Sequence, residues 1–242
     1  MNDTLIIIPA YNEAENIDSL VQKLKHADGS WDILVINDGS TDNTSKLAKA
    51  SGKAVVIDLP FNLGIGGCVQ TGFKYAKLYN YEYALQFDGD GQHKIEEINK
   101  LLNIVKNKEA DVAIGSRFVQ KHGGYKSTSP RRLGIKIFEI TSYLMIRQKI
   151  TDNTSGFRAY NKKTINFLSE NYPTDFPEPE IVIMLGKNKF KIKEIFTQMQ
   201  ERQGGVSSIS LAQSPYYMIK VLLAMFMASI RAKQIESEID TN

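Results

Sequence analysis

The chain has 242 residues, 42% hydrophobic and 24% charged, with a formal net charge of +3, which is ordinary for a soluble globular protein and too mild to argue for nucleic acid. One cysteine (Cys68) excludes an internal disulfide and a Cys-based zinc site, and His26, His93 and His122 lack zinc-ligand spacing. There is no signal-peptide pattern at the N-terminus and no run of the roughly 20 apolar residues a spanning helix needs, so the expectation is a cytoplasmic protein, at most peripheral on the inner face of the membrane.

In chain order, residues 4–8 form a continuous apolar run, as in a parallel strand covered on both faces. Residues 12–25 carry Ile17, Leu20, Val21 and Leu24 at helical spacing, with Glu13 and Glu15 expected in the first turn. A strand over 33–36 ends in Asn37-Asp38-Gly39-Ser40, and Thr41 or Asp42 can cap a helix to Ala50. A strand over 54–59 precedes a glycine-rich loop, 62–67, and a helix to Tyr79. The strand 83–87, a helix over 95–106 and a strand over 110–115 follow, then an aperiodic segment, 120–130, read as a mobile loop. Helix 131–147, a loop and strand over 151–160, a short helix after the break at 174–180 and a strand over 190–197 complete the main unit. A last, almost wholly apolar helix spans 215–231. The expectation is an α/β fold with a mainly parallel sheet, one domain over 1–212, and an appendage, 213–242, of this helix and a polar tail.

Asp88-Gly89-Asp90 stands where the strand 83–87 ends, followed by Gln92 and His93. Two carboxylates there repel unless a cation sits between them, and a hard Mg²⁺ or Mn²⁺ takes carboxylate and amide oxygens while sharing a substrate phosphate. Read alone, the triplet is equally an acidic turn. Polar clusters also fall at the other strand ends, where ligands of parallel sheets bind: Pro9 to Glu13, Asn37-Asp38 and Ser116-Arg117.

Those segments, Ile6 to Glu13, Val35 to Asp42, Asn62-Leu63-Gly64, Asp88 to His93 and Gly115-Ser116-Arg117, resemble the inverting family 2 glycosyltransferases of GT-A fold. Within them the chain is most similar to the dolichol-phosphate mannose synthase and polyprenyl-phosphate branch, whose D-x-T-x-G-F-R segment matches Asp152 to Arg158. The resemblance implies a donor nucleoside held by Pro9, Tyr11, Glu13 and Asp38, with Gly64 allowing close backbone approach or merely making a tight turn. It implies Mg²⁺ or Mn²⁺ on Asp90 and Gln92, with Asp88 on ribose or metal, and gives Asp88 and Asp90 catalytic weight. Arg117 and Arg131 would hold an acceptor phosphate, joined by Arg202, while Arg132 and Arg158 are read as structural; guanidinium suits phosphate in bidentate geometry.

The implied partners are a UDP- or GDP-sugar and a polyprenyl-phosphate or lipid-linked glycan acceptor at the cytoplasmic membrane face. Glu178-Pro179-Glu180 departs from the mannose synthases and is closer to cell-envelope polysaccharide enzymes; Glu180 is a candidate general base if the acceptor is a sugar hydroxyl, or a plain helix-start acid. A phosphate acceptor is already anionic and needs no strong base. A sugar-phosphate nucleotidyltransferase would instead carry a Gly-rich basic loop after the first strand. For the last helix three uses stay open: packing on its own domain, pairing with a second copy, or lying in the membrane surface.

Overall fold

The computed structural model describes residues 2–89, 91–119, 129–173, 177–198 and 214–239, with the side chains of 129–133, 214–217 and 232–239 excepted. Strands and helices alternate: β1 (Thr4–Ala10), α1 (Ile17–Ala27), β2 (Trp31–Asn37), α2 (Thr44–Ala50), β3 (Val55–Asp58), α3 (Gly64–Leu78) and β4 (Tyr83–Gln86). A 3-10 turn (Ile95–Glu97) runs into α4 (Ile98–Lys106), then β5 (Val112–Ser116) and α5 (Ser129–Ile146). The remainder is β6 (Arg158–Asn161), α6 (Lys162–Asn171), α7 (Pro177–Lys187), β7 (Ile192–Phe196) and α8 (Ser214–Ile239).

Among the described residues, seven strands form one sheet in the order β3-β2-β1-β4-β6-β5-β7. Every pair is parallel except those of β6, which runs antiparallel between β4 and β5. Alternate residues of β1 and β2 feed two cores. Leu5, Ile7, Leu34 and Ile36 meet Phe73 of α3 and the α6–α7 side, while Ile6, Ile8, Ile33 and Val35 meet α1 and α4. Burial on both faces explains why β1 is apolar throughout, and each such side chain contributes about 1.5–3 kcal/mol.

Four expectations need adjusting. α1 begins at Ile17, so Asp18 rather than Glu13 or Glu15 lies in its first turn; the backbone before it is diverted at Asn12, whose φ is 54°. Gly64 to Gly67 open α3 instead of forming a loop. α6 was not anticipated: Asn161 caps it by accepting from the Thr164 N–H at 3.0 Å, and Ile165 and Leu168 seat it in the core. α8 extends to Ile239, past the expected end. The segment read as a mobile loop lies largely outside the described residues.

Candidate active site

The carboxyl ends of β1, β2, β4 and β5 share one edge of the sheet, and antiparallel β6 begins at that same edge. Pairing of Gln86 with Arg158 places the loop 151–157 beside the end of β4. This reversal joins Asp88, Arg117 and the Asp152 to Arg158 segment, which are far apart in sequence.

The loops after β1 and β2 are stitched together by short side chains. The Asn12 N–H donates to Ser40 Oγ at 2.9 Å, the Thr41 N–H to Asn12 Oδ1 at 2.9 Å, the Glu13 N–H to Thr44 Oγ1 at 2.8 Å and the Ala14 N–H to Asp42 Oδ2 at 3.1 Å. Asp38 is buried; its Oδ1 accepts from the Leu63 N–H at 2.7 Å and ties β2 to the start of α3. Gly64, at that start, has φ +76°, which L side chains rarely adopt, and open space on the side a Cβ would occupy. Tyr11 is 48% exposed at the mouth, whereas Pro9 is buried within β1 and turns its carbonyl toward Gly89. Glu13, half-buried, also lies against Gly89, which brings the first-strand and fourth-strand motifs together.

Asp88 follows directly, with its side chain 32% exposed. Partial burial works against its charge, but hydrogen bonding and charge from His93, together with Gln86 and Arg117, keep the carboxyl below its ordinary value of 3.8. His93 Nε2 lies 3.4 Å from Asp88 Oδ2; the ring is buried, stacked on Phe157 with centroids 4.6 Å apart and approached edgewise by Phe87. It is thus a packed support for Asp88. Gly156 closes the other side: an added Cβ would stand 2.8 and 2.9 Å from the two Asp88 oxygens and 2.9 Å from Gln86 Nε2. Gln92 is half-buried beyond Gly91, whose φ is +71°. Asp90 and Arg202 lie outside the described residues, as does the side chain of Arg131 on α5.

Arg117 is held in a fork. Its Nε and Nη2 donate to Asp152 Oδ2 and Oδ1, both at 2.7 Å, and Nη2 also reaches Thr154 Oγ1 at 2.9 Å. The pair is nearly buried, with Asp152 1% exposed; burial opposes the Asp152 charge, and Arg117 overrides it, keeping the carboxyl low. Asp152 is positioned in turn by Glu194 of β7, whose carboxyl accepts the N–H groups of Thr151 and Asp152, each at 2.7 Å. Burial pushes the Glu194 carboxyl up despite these bonds.

Arg158 is 1% exposed and donates to three carbonyls, of Ser155 at 2.7 Å, Asn153 at 3.1 Å and Glu178 at 2.9 Å. It pins the start of α7 to the loop. Glu178 and Glu180 are half-buried in the first turn of α7. Burial raises the Glu178 carboxyl, Arg158 pulls it down, and the charges of Asp88 and Glu180 push it up again, so α7 shares the electrostatics of Asp88. A cavity of about 250 Å³ opens between α1 and the 89–96 turn, lined by Gly89, Gly91 and His93. A larger one, about 480 Å³, lies at the opposite edge of the sheet among Lys108, Asp111 and Lys162, away from these groups.

The family model described as glycosyl transferase family 2 matches residues 5–168. The chain belongs to glycosyltransferase family 2. A polyprenol monophosphomannose synthase of Mycolicibacterium smegmatis is 33% identical over 231 residues, 90% of this chain and 85% of that one. The UDP-N-acetylglucosamine–dolichyl-phosphate N-acetylglucosaminyltransferase of Methanococcus voltae is 31% identical, covering 81% of this chain and 85% of its own length. Glucosyl-3-phosphoglycerate synthase of Mycobacterium tuberculosis, crystallised with Mn²⁺, UDP and its glucosylated product, superposes with a TM-score of 0.68 at 14% identity, covering 94% of this chain and 80% of that one. The same synthase has been crystallised with Mg²⁺ and UDP. This family 2 glycosyltransferase therefore has the GT-A fold, with a mainly parallel sheet.

The residues fit a divalent ion shared with a diphosphate. Among the described residues no three carboxylate, histidine or cysteine groups form a cage. Asp88 nevertheless offers an ionised, partly exposed carboxylate with His93 on one oxygen. Mg²⁺ bound through one or two carboxylates, waters and substrate phosphates needs no more. Sequence reasoning missed Asp152, Gly156 and Glu194 as parts of the site. The D-x-T-x-G-F-R segment was the available signal for the first two; nothing local marks Glu194.

Proposed function

We propose that this glycosyltransferase moves a sugar, with inversion, from a UDP- or GDP-sugar to a polyprenyl phosphate or lipid-linked acceptor at the cytoplasmic face of the membrane. The observation that carries the reading is the juxtaposition, created by antiparallel β6, of ionised Asp88 with the forked Arg117–Asp152 pair. The names of the two lipid-phosphate relatives point to the same acceptor class.

In this reading Tyr11 stacks on the base, Pro9 shapes the wall behind it, and Glu13 and Asp38 accept from base or ribose, with Gly64 leaving room for the backbone to approach the nucleotide. Asp88, Asp90 and Gln92 would hold Mg²⁺ or Mn²⁺, which when bound neutralises charge on the departing nucleoside diphosphate. His93 and Gly156 fix where the Asp88 carboxylate stands. Arg117, oriented by Asp152 and Thr154, turns its guanidinium to the acceptor phosphate, with Arg131 and Arg202 adding charge. The anionic acceptor oxygen then attacks the anomeric carbon opposite the diphosphate, without a proton to remove.

A second reading takes a sugar hydroxyl as acceptor, with Glu180 or Glu178 as base. It is favoured by the upward shift of the Glu178 carboxyl, which improves a carboxylate as a proton acceptor. Incubation with UDP- and GDP-sugars, Mn²⁺ or Mg²⁺ and short polyprenyl phosphates, followed by mass, separates the two. The first expects a glycosyl-phosphate lipid and free nucleoside diphosphate, retained in Glu180→Gln. Product only with saccharide acceptors, lost in Glu180→Gln, would replace it with the second.

A further inference from the structure

The sheet face toward α6 and α7 is lined by buried apolar residues, among them Leu5, Ile7, Leu34, Ile36 and Ile114. Alternation along β4 puts Gln86 on that face, beside Ile7 of β1 and opposite Arg158 of β6. It is 1% exposed. Arg158 is satisfied by its three carbonyls, but Gln86 Nε2 is buried with no hydrogen-bond partner. The buried Tyr160 hydroxyl is also unpartnered, though it stands opposite Ala84, two residues farther from the site. An unpaired amide in a core destabilises the fold, and a methionine of similar shape would avoid that cost. A strand that keeps the amide is giving up stability for something else.

The surroundings of the amide say what that is. Tyr172, packed on Phe73 with ring centroids 5.4 Å apart, donates its hydroxyl to Gln86 Oε1 at 3.5 Å. The oxygen end is thereby taken, and the N–H end is left for an acceptor. The acceptor at hand is the Asp88 carboxylate. A point one carbon beyond Gly156 lies 2.9 Å from Gln86 Nε2 and 2.8 and 2.9 Å from the two Asp88 oxygens, so amide and carboxylate meet over the same bare stretch of backbone. Burial opposes the Asp88 charge, His93 favours it, and Gln86 adds to His93 without closing a bond of ordinary geometry. The His93 support is itself long, with Nε2 3.4 Å from Oδ2.

We propose that Gln86 is a positioning residue for the transfer: its side-chain amide closes onto the Asp88 carboxylate when the donor binds, so that His93 and Gln86 hold the carboxylate from two sides. The proposal rests on the reading above that Asp88 serves the donor's diphosphate. A carboxylate supported from behind in this way keeps one orientation, and loss of such a support lowers affinity about tenfold or more.

The test is calorimetric binding of UDP and GDP in Mn²⁺ and in EDTA, with thermal melts, on the full chain as parent, Gln86→Met, Asp88→Asn and the double variant. In Mn²⁺, Gln86→Met should bind the preferred nucleotide about tenfold more weakly than the parent while melting no lower. On top of Asp88→Asn it should cost nothing further, because the amide acts through that carboxylate. Gln86→Glu keeps the shape but puts an acceptor where the donor stood, and should lose at least as much. Parent-like affinity in Gln86→Glu and Gln86→Met, or a loss that adds in full to that of Asp88→Asn, overturns the proposal and leaves the donor reading standing. A parent whose nucleotide binding ignores both EDTA and Asp88→Asn overturns the donor reading itself, and the proposal with it.

Discussion

The two halves of the sheet edge are built differently. The half formed by β1, β2 and the start of α3 is held by single hydrogen bonds between neighbouring polar loops, such as Asn12 with Ser40 and Thr41, and Asp38 with Leu63. The half formed by β5, β6 and β7 is held by buried charge: Arg117 in the fork of Asp152, and Asp152 set by Glu194. Loop hydrogen bonds contribute about 1 kcal/mol each, so any one can be exchanged at small cost. A buried ion pair stabilises little over an apolar replacement but is severe to break, so it specifies one position. The β1–β2 half, proposed to take the donor, is thus the adaptable one, and the β5–β7 half, proposed to take the acceptor, is fixed. Asp88 stands at the seam.

The contrast can be broken most strongly at the seam. Asp88→Ala should lower turnover about a thousandfold with the melting temperature little changed, checked by nucleoside diphosphate release and a thermal melt. Gly156→Ala comes next. Its methyl has to displace the Asp88 carboxylate, and a misplacement of that kind lowers kcat by about a hundredfold, while circular dichroism stays that of the parent. Asp152→Ala tests the fixed half by stability rather than rate. Leaving Arg117 buried without its partner costs about 3–5 kcal/mol, or a fall in Tm of about 10 °C, in a thermal melt.

The smallest effect is a gain. The Glu178 carboxyl is raised above its ordinary 4.5, so it binds its proton more tightly folded than unfolded. Stability linked to it is fully present below 4.5 and is lost as pH rises through the raised folded value. Glu178→Gln should therefore melt slightly above the parent at pH 7 and match it below pH 4.5, measured as Tm against pH.

The same contrast explains what the sequence made legible. The residues proposed to hold the donor are contiguous at strand ends, Pro9 to Glu13, Asn37-Asp38 and Asp88 to Gln92, so hydrophobic runs that stop in polar clusters made the parallel sheet legible and pointed to one of its edges as the candidate site. The β5–β7 half depends on pairs 35 to 43 residues apart, Arg117 with Asp152 and Thr151 with Glu194, which exist only because β6 reverses and inserts between β4 and β5. Periodicity carries no sign of that insertion. α6 escaped because its threonine, serine and asparagines are weak helix formers, overridden by the Asn161 cap and the packing of Ile165 and Leu168. Gly156 was quoted within a motif, but its meaning, a gap the size of a methyl beside Asp88, is a property of packing.

Calorimetric binding of UDP and GDP, with Mn²⁺ and with EDTA, to the parent, Asp88→Asn and Asp152→Asn probes the division of labour directly. One nucleotide should bind in Mn²⁺ and weaken about tenfold or more both in EDTA and in Asp88→Asn, a loss of about 1.4 kcal/mol, while Asp152→Asn binds as the parent does. Binding indifferent to EDTA and to Asp88→Asn, or equally impaired in Asp152→Asn, would contradict a metal-held donor on one side of Asp88 and a separate phosphate-binding acceptor side on the other.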